Sequence, residues 1–105
     1  MVYVFDIDGT ICHTNGSSYE LSVPIQSRIN YVNKLYEQGN KIYFLTARGM
    51  GRTDNDQQSA INELYEVTEE QLNKWGVKYH KLFLGKPAGD FYIDDKAISD
   101  VEFFK

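Results

Sequence analysis

Two stretches of this chain, VYVF at 2–5 and IYFL at 42–45, are short, almost wholly apolar, and rich in β-branched and aromatic residues. Continuous apolar runs of this kind suit strands covered on both faces, as in a parallel sheet. Between them Pro24 opens a helical pattern, with Ile25, Ile29, Val32, Leu35 and Tyr36 falling on one face. Gly39 follows, a good residue for the left-handed turn that ends a helix. Strand, helix and strand in that order build a right-handed parallel crossover, so the chain is constrained to an α/β fold before any other residue is considered.

The rest of the chain extends the same plan. ARGMGRTDNDQQ, at 47–58, is polar and glycine-bearing and reads as a loop. A helix follows, with Ile61, Leu64 and Tyr65 inward. TEEQL at 68–72 has capping-box spacing, so this helix restarts or continues there until Gly76. KYHKLFL at 78–84 and DFYI at 90–93 read as two more strands, and ISDVEFF at 98–104 as a fifth strand or a terminal turn. With 105 residues there is room for one small domain, 1–105, and not for two. The expectation is a Rossmann-like, mostly parallel sheet flanked by helices.

Bulk properties narrow the function classes. The net charge is −4, so nothing global argues for nucleic acid or anionic membrane as a partner, and neither is expected. Cys12 is the single cysteine, so there is no internal disulfide and no thiolate zinc site. Asp6 interrupts the first apolar run too early for a signal or membrane segment. The reading is a soluble, cytoplasmic protein.

In open parallel sheets, ligands bind at the carboxyl ends of the strands. Asp6 and Asp8 follow the first run, Thr46, Ala47 and Arg48 the second; Lys86 precedes DFYI, and Asp94 and Asp95 follow it. Four carboxylates gathered at one edge would repel strongly. A divalent cation removes that difficulty, because carboxylates, water and substrate phosphate are the ligands magnesium prefers.

The set DIDGT, LTAR, GKP and YIDDK, in that order from residue 2 to about 97, resembles the four motifs of the haloacid dehalogenase superfamily of phosphohydrolases. TARG and WGVKYHKLFLGKPAGDFYIDDKA are also similar to short members associated with bacterial surface-polysaccharide or sugar-phosphate pathways. The resemblance implies a magnesium-dependent phosphomonoesterase acting on a small phosphorylated metabolite such as a sugar or polyol phosphate. Asp6 would be the nucleophile that forms an aspartyl-phosphate. Asp8, two residues on and so on the same side of the strand, would be the acid and then the base. Main-chain amides at Asp8 and Gly9, the Thr46 hydroxyl and the Lys86 ammonium would hold the phosphoryl group. Asp94 would bind magnesium with Asp6 and the Asp8 carbonyl, while Asp95 would act through water or orient Lys86. Arg48 is a candidate substrate ligand.

Only 13 residues, 11–23, separate DGT from the first helix, so the resemblance implies a capless member with an open site. Water exclusion would come from loops, the substrate, or a second subunit of a homo-oligomer. Phosphoryl transfer between sugar phosphates is the rival enzyme reading, and it usually calls for a cap. A phospho-accepting receiver module is the rival from another class. Its acidic pair is adjacent, and its acceptor ends the third strand, whereas here the pair is Asp-x-Asp and KLFLG ends without an acid.

Several residues carry duller expectations. Arg48 and Arg52 each face substrate or solvent with equal weight. His13 reads as a surface residue beside a flap, His80 and Trp75 as packing residues, and Cys12 as a small apolar one.

Overall fold

The computed structural model describes residues 1–105. Strand β1 (Val2–Phe5) leads into a small antiparallel hairpin, β2 (Cys12–His13) with β3 (Val23–Pro24), whose connecting loop holds one 3-10 turn at Tyr19–Leu21. Then come α1 (Gln26–Glu37), β4 (Lys41–Thr46), α2 (Gln57–Lys74), β5 (Lys81–Leu84) and a one-turn helix α3 (Asp100–Phe103). The main sheet has the order β1-β4-β5 and is parallel throughout, with Phe5 level with Phe44 and Thr46 level with Leu84.

Both long helices end in the same way. Asn40 N–H donates to the Leu35 carbonyl and Gly39 N–H to that of Tyr36; after α2, Val77 and Gly76 repeat the pattern on Leu72 and Asn73. This double closure requires a left-handed residue at the turn, supplied by Gly39 (φ +91°) and Gly76 (φ +72°). At its start α2 is capped by Asp56, whose carboxylate accepts from Ser59 N–H. TEEQL does not restart the helix: α2 runs through it, and Thr68 is buried in mid-helix.

The sheet is covered on one face only, which corrects the expectation of double coverage. Ile29, Val32 and Leu35 of α1 and Leu64 and Leu72 of α2 join one core with Phe5, Ile42, Phe44, Leu82 and Leu84. The alternate residues face away from the helices, and Val2 and Val4 stay 58% and 59% exposed. The physical reason is topology. Both crossovers step in the same direction across the sheet, and right-handed crossovers of one sense lay both helices on one side.

Residues 90–93 do not form the expected fourth strand of the sheet. Phe91 is 86% and Ile93 97% exposed, in irregular backbone. A parallel strand beside β1 must start at the opposite end of the sheet from where β5 stops, and such crossovers take about a dozen residues. Only residues 85–89 lie between Leu84 and Asp90, and Lys86 is itself held in the ladder by its N–H bond to the Thr46 carbonyl. ISDVEFF likewise forms no strand. Ser99 caps α3, and Phe103 and Phe104 pack against Phe5 and Tyr31, mostly edge to face, while Arg28 pairs with Asp100 at 2.8 Å. No helix is long and apolar enough to cross a membrane.

Candidate active site

A cleft of about 210 Å³ opens at the carboxyl ends of β1 and β4, lined by Asp6, Asp8, Thr46, Arg48 and Lys86 together with Gly16, Tyr19, Ala47 and Tyr92. Asp6 leaves the end of β1. The Lys86 ammonium reaches to 3.9 Å from it, and Tyr92 lies under that ammonium at 4.1 Å. Burial pushes the Asp6 carboxyl above its ordinary value of 3.8, outweighing the Lys86 charge and the Ile7 N–H that pull the other way; the neighbouring Asp8 adds to the rise. Thr46 ends β4 fully buried, its hydroxyl accepting from Arg48 N–H at 3.2 Å.

Asp8 is held far more firmly than the sequence suggested. Arg48 Nε donates to Oδ2 at 2.9 Å and Nη2 to Oδ1 at 3.0 Å, while the Thr14 hydroxyl donates to Oδ1 at 2.6 Å. Arg48 itself is 1% exposed, and its Nη1 is taken by Gln71 Oε1 at 2.7 Å and by the Thr68 hydroxyl at 3.3 Å. Gln71 in turn donates to the Tyr19 carbonyl at 2.6 Å, and the Tyr19 ring lies 5.0 Å from the guanidinium. These contacts tie the β2–β3 hairpin to α2 through one buried cation. The expectation of Arg48 as a substrate ligand is therefore corrected: although it lines the cleft, its Nε, Nη1 and Nη2 each bond within the chain.

Gly9 departs from expectation too. Its N–H donates to the Cys12 carbonyl at 2.9 Å in the turn after β1, which removes that amide from the set able to face a phosphate. Arg52 stays near the surface, bonding the Ser17 carbonyl at 3.3 Å. His13 is exposed on β2. Cys12 is buried beside Asp8, and burial pushes its thiol up.

Asp94 and Asp95 are not brought to this cleft. Both are exposed, and no cluster of three or more potential metal-ligating side chains forms anywhere in the chain. The Lys96 N–H caps the Asp94 carboxylate at 3.0 Å and holds its pKa below the usual range. Within one chain the expected metal set is therefore two acids, Asp6 and Asp8. The reason is the five-residue connector described above, which keeps the segment from running up beside β1.

Thr14 and Tyr19 stand out nowhere in the sequence, and Thr68 and Gln71 read there as a capping box. The one available signal was that Thr68 and Gln71 stand three apart on the inward face of α2, where polar residues need a buried partner. A larger hollow of about 690 Å³ lies beside the start of β5, lined partly by Tyr36, Tyr65, Tyr79 and His80. It is remote from the strand ends that carry the acids.

If Lys86 offsets charge between Asp6 and an incoming anion, Lys86→Ala lowers turnover by about 10²–10³ with the fold retained. Thr46→Ala removes one neutral hydrogen bond, worth about 0.5–1.5 kcal/mol, so it lowers turnover roughly tenfold at most. Steady-state rates with circular dichroism controls check both. Equal, small losses would place neither group at the reacting centre.

No protein-family model matches the chain, and no curated protein matches it. Solved structures do. A crystal structure of a target protein from Vibrio cholerae is 31% identical, with a TM-score of 0.89 over 98% of this chain and 86% of that one. This chain belongs to the same family as that protein. A chain of the Pnkp1/Rnl/Hen1 complex is similar at 23% identity, TM-score 0.60, over 90% of this chain and 30% of its own length. The D,D-heptose 1.7-bisphosphate phosphatase from B. bronchiseptica, complexed with magnesium and phosphate, is similar at 17% identity, TM-score 0.55, over 91% of this chain and 53% of its own. The fold shared with these structures is the haloacid dehalogenase-like one.

Proposed function

We propose that this haloacid dehalogenase-like domain is a magnesium-dependent phosphomonoesterase that works through an aspartyl-phosphate on Asp6. The observation that carries the reading is the convergence of Asp6, Asp8, Thr46 and Lys86 on one cleft at the ends of parallel strands. Such a set suits a phosphate monoester: a nucleophile, an acid, a hydrogen-bond donor and a cation.

An Asp6 oxygen attacks phosphorus and the bond to the ester oxygen breaks. That oxygen takes a proton from Asp8, whose carboxyl gives up an Arg48 contact on one oxygen to carry it, and departs as an alcohol. Water then gives a proton to Asp8 as it attacks the phosphorus of the acyl phosphate, releasing phosphate and restoring Asp6. Lys86 lets two anions approach each other, and Thr46 orients a phosphoryl oxygen. Arg48 and Thr14 hold the Asp8 carboxylate at the cleft.

The donors here are oxygens, with no imidazole or thiolate poised to ligate, which fits a hard cation such as magnesium rather than zinc. Asp6 and the Asp8 carbonyl would hold the ion, which neutralises phosphoryl charge when bound. Asp94 and Asp95 belong to the expected set but lie outside the cleft of a single chain. The B. bronchiseptica relative of fold supports a phosphorylated sugar as the substrate class, and the open cleft admits one.

The test is phosphate release from a panel of sugar phosphates, glycerol phosphate and nucleotides, with magnesium and with chelator. Turnover of at least one ester that disappears on chelation and returns with magnesium is expected. Full activity after chelation would remove the metal from the reading, and no turnover across the panel would remove the activity.

A further inference from the structure

The first sheet strand, β1, has β4 on one side and no strand on the other, while Phe91 and Ile93, 86% and 97% exposed, sit in a segment that pairs with no strand. We propose that residues 90–93 of one copy add to the free edge of β1 in a second copy, reciprocally, so that Asp94 of the partner subunit completes the acidic site. This inference rests on the phosphatase reading for its chemical purpose, but its physical basis is separate.

Chain length excludes the same pairing within one copy. The connector of residues 85–89 is too short for a parallel crossover. An antiparallel addition is within reach, since crossing the sheet from β5 to the outer edge of β1 takes three strand spacings, about 14 Å. It would run the segment the wrong way and carry Asp94 and Asp95 to the far end of the sheet from Asp6. Only a second copy can present 90–93 parallel to β1 with its acids at the cleft.

Side-chain alternation agrees with that pairing. In the register that brings Asp94 level with Asp6, Ile93 lies beside Phe5, Tyr92 beside Val4 and Phe91 beside Tyr3. Neighbours in a parallel sheet point to the same face. Phe91 and Ile93 would then extend the aromatic layer already formed by Tyr3, Phe5, Phe103 and Phe104. Tyr92 would join the helix-free face with Val4. It would give up the contacts that now fold it back, its hydroxyl on the Pro87 carbonyl at 2.7 Å and its ring under Lys86. The free edge of β1 and a strand-like sequence at 90–93 lie in the same chain, so a closed two-fold exchange is self-complementary.

The test uses the full chain. Sedimentation should give a dimer. Val4→Cys and Tyr92→Cys proteins are prepared separately, mixed, refolded together and oxidised; the native Cys12 is buried and does not compete. A covalent dimer from the mixture, and from neither variant alone, is the expected result. A disulfide that forms only within a chain carrying both changes, or wild-type protein that sediments as a monomer, overturns the proposal. A second arm mixes Asp6→Asn with Asp94→Asn protein. Shared sites restore about a quarter of wild-type activity in a statistical dimer population, whereas sites built within one chain restore none. If the wild-type protein hydrolyses no phosphate ester, the function reading falls, and the mixed cross-link still decides the exchange.

Discussion

Asp6→Asn is expected to abolish phosphate release and, at neutral pH, to raise the melting temperature. The first effect follows from chemistry, because an amide is a far weaker nucleophile than a carboxylate and no phosphoenzyme can form on it. The second follows from burial. The Asp6 carboxyl is pushed above its ordinary value of 3.8, mainly by desolvation. A raised carboxyl favours the folded state while protonated, so its contribution is fully present below the unfolded value and is lost as pH rises through the folded one. At neutral pH the wild-type protein therefore carries a destabilising charge that asparagine removes. Melting curves across pH should show the variant ahead at neutral pH and level with wild type in acid. A variant that melts lower at neutral pH would mean that the pairing with Lys86 outweighs the burial.

Asp8→Asn should behave differently, since it leaves the nucleophile and removes the acid and base. An alkyl phosphate, which needs a proton on its leaving oxygen, reacts slowly in the first step. A nitrophenyl phosphate leaves readily as an anion, so that step survives better, while the water attack still lacks a base. Aspartyl-phosphate should then accumulate. Rapid quench with labelled substrate and mapping of the adduct checks it: label on Asp6 is expected, and label elsewhere, or equal trapping in Asp6→Asn, would mean a different nucleophile.

Arg48→Ala is expected to cost about 3–5 kcal/mol of stability, the usual effect of breaking a buried ion pair from one side. The guanidinium is fully buried and bonds Asp8, Gln71 and Thr68 at once, so its loss strands three polar partners. For a domain near this size that corresponds to a fall in melting temperature on the order of 15 °C or more. Arg48→Lys should not rescue it, because a single ammonium cannot reproduce the planar fork on the Asp8 carboxylate. Gln71→Ala should cost less, about 1–3 kcal/mol, through the donor left unmet on Arg48. Denaturant melts of the three variants decide it. Should Arg48→Ala melt like wild type while raising the Michaelis constant, the guanidinium faces substrate and not Asp8.

Elements whose formation depends on nearby residues were legible in the sequence. Apolar runs gave β1 and β4, helical spacing gave the inward faces of α1 and α2, and Gly39 and Gly76 marked their ends, because each of these is set within one or two turns of chain. The gathering of Asp6, Asp8, Thr46 and Lys86 was legible too, since strand ends in a parallel sheet lie at one edge. Arg48 was open to misreading because its burial depends on Thr68 and Gln71, some twenty residues away and brought close only by the packing of α2. DFYI has the composition of a strand, yet composition says nothing about whether a connector can reach. Which face of the sheet stays bare, whether residues 90–93 find an edge, and which side chains hold Asp8 are decided by crossover direction, chain length and long-range contact, and these exist only once the strands have taken their order.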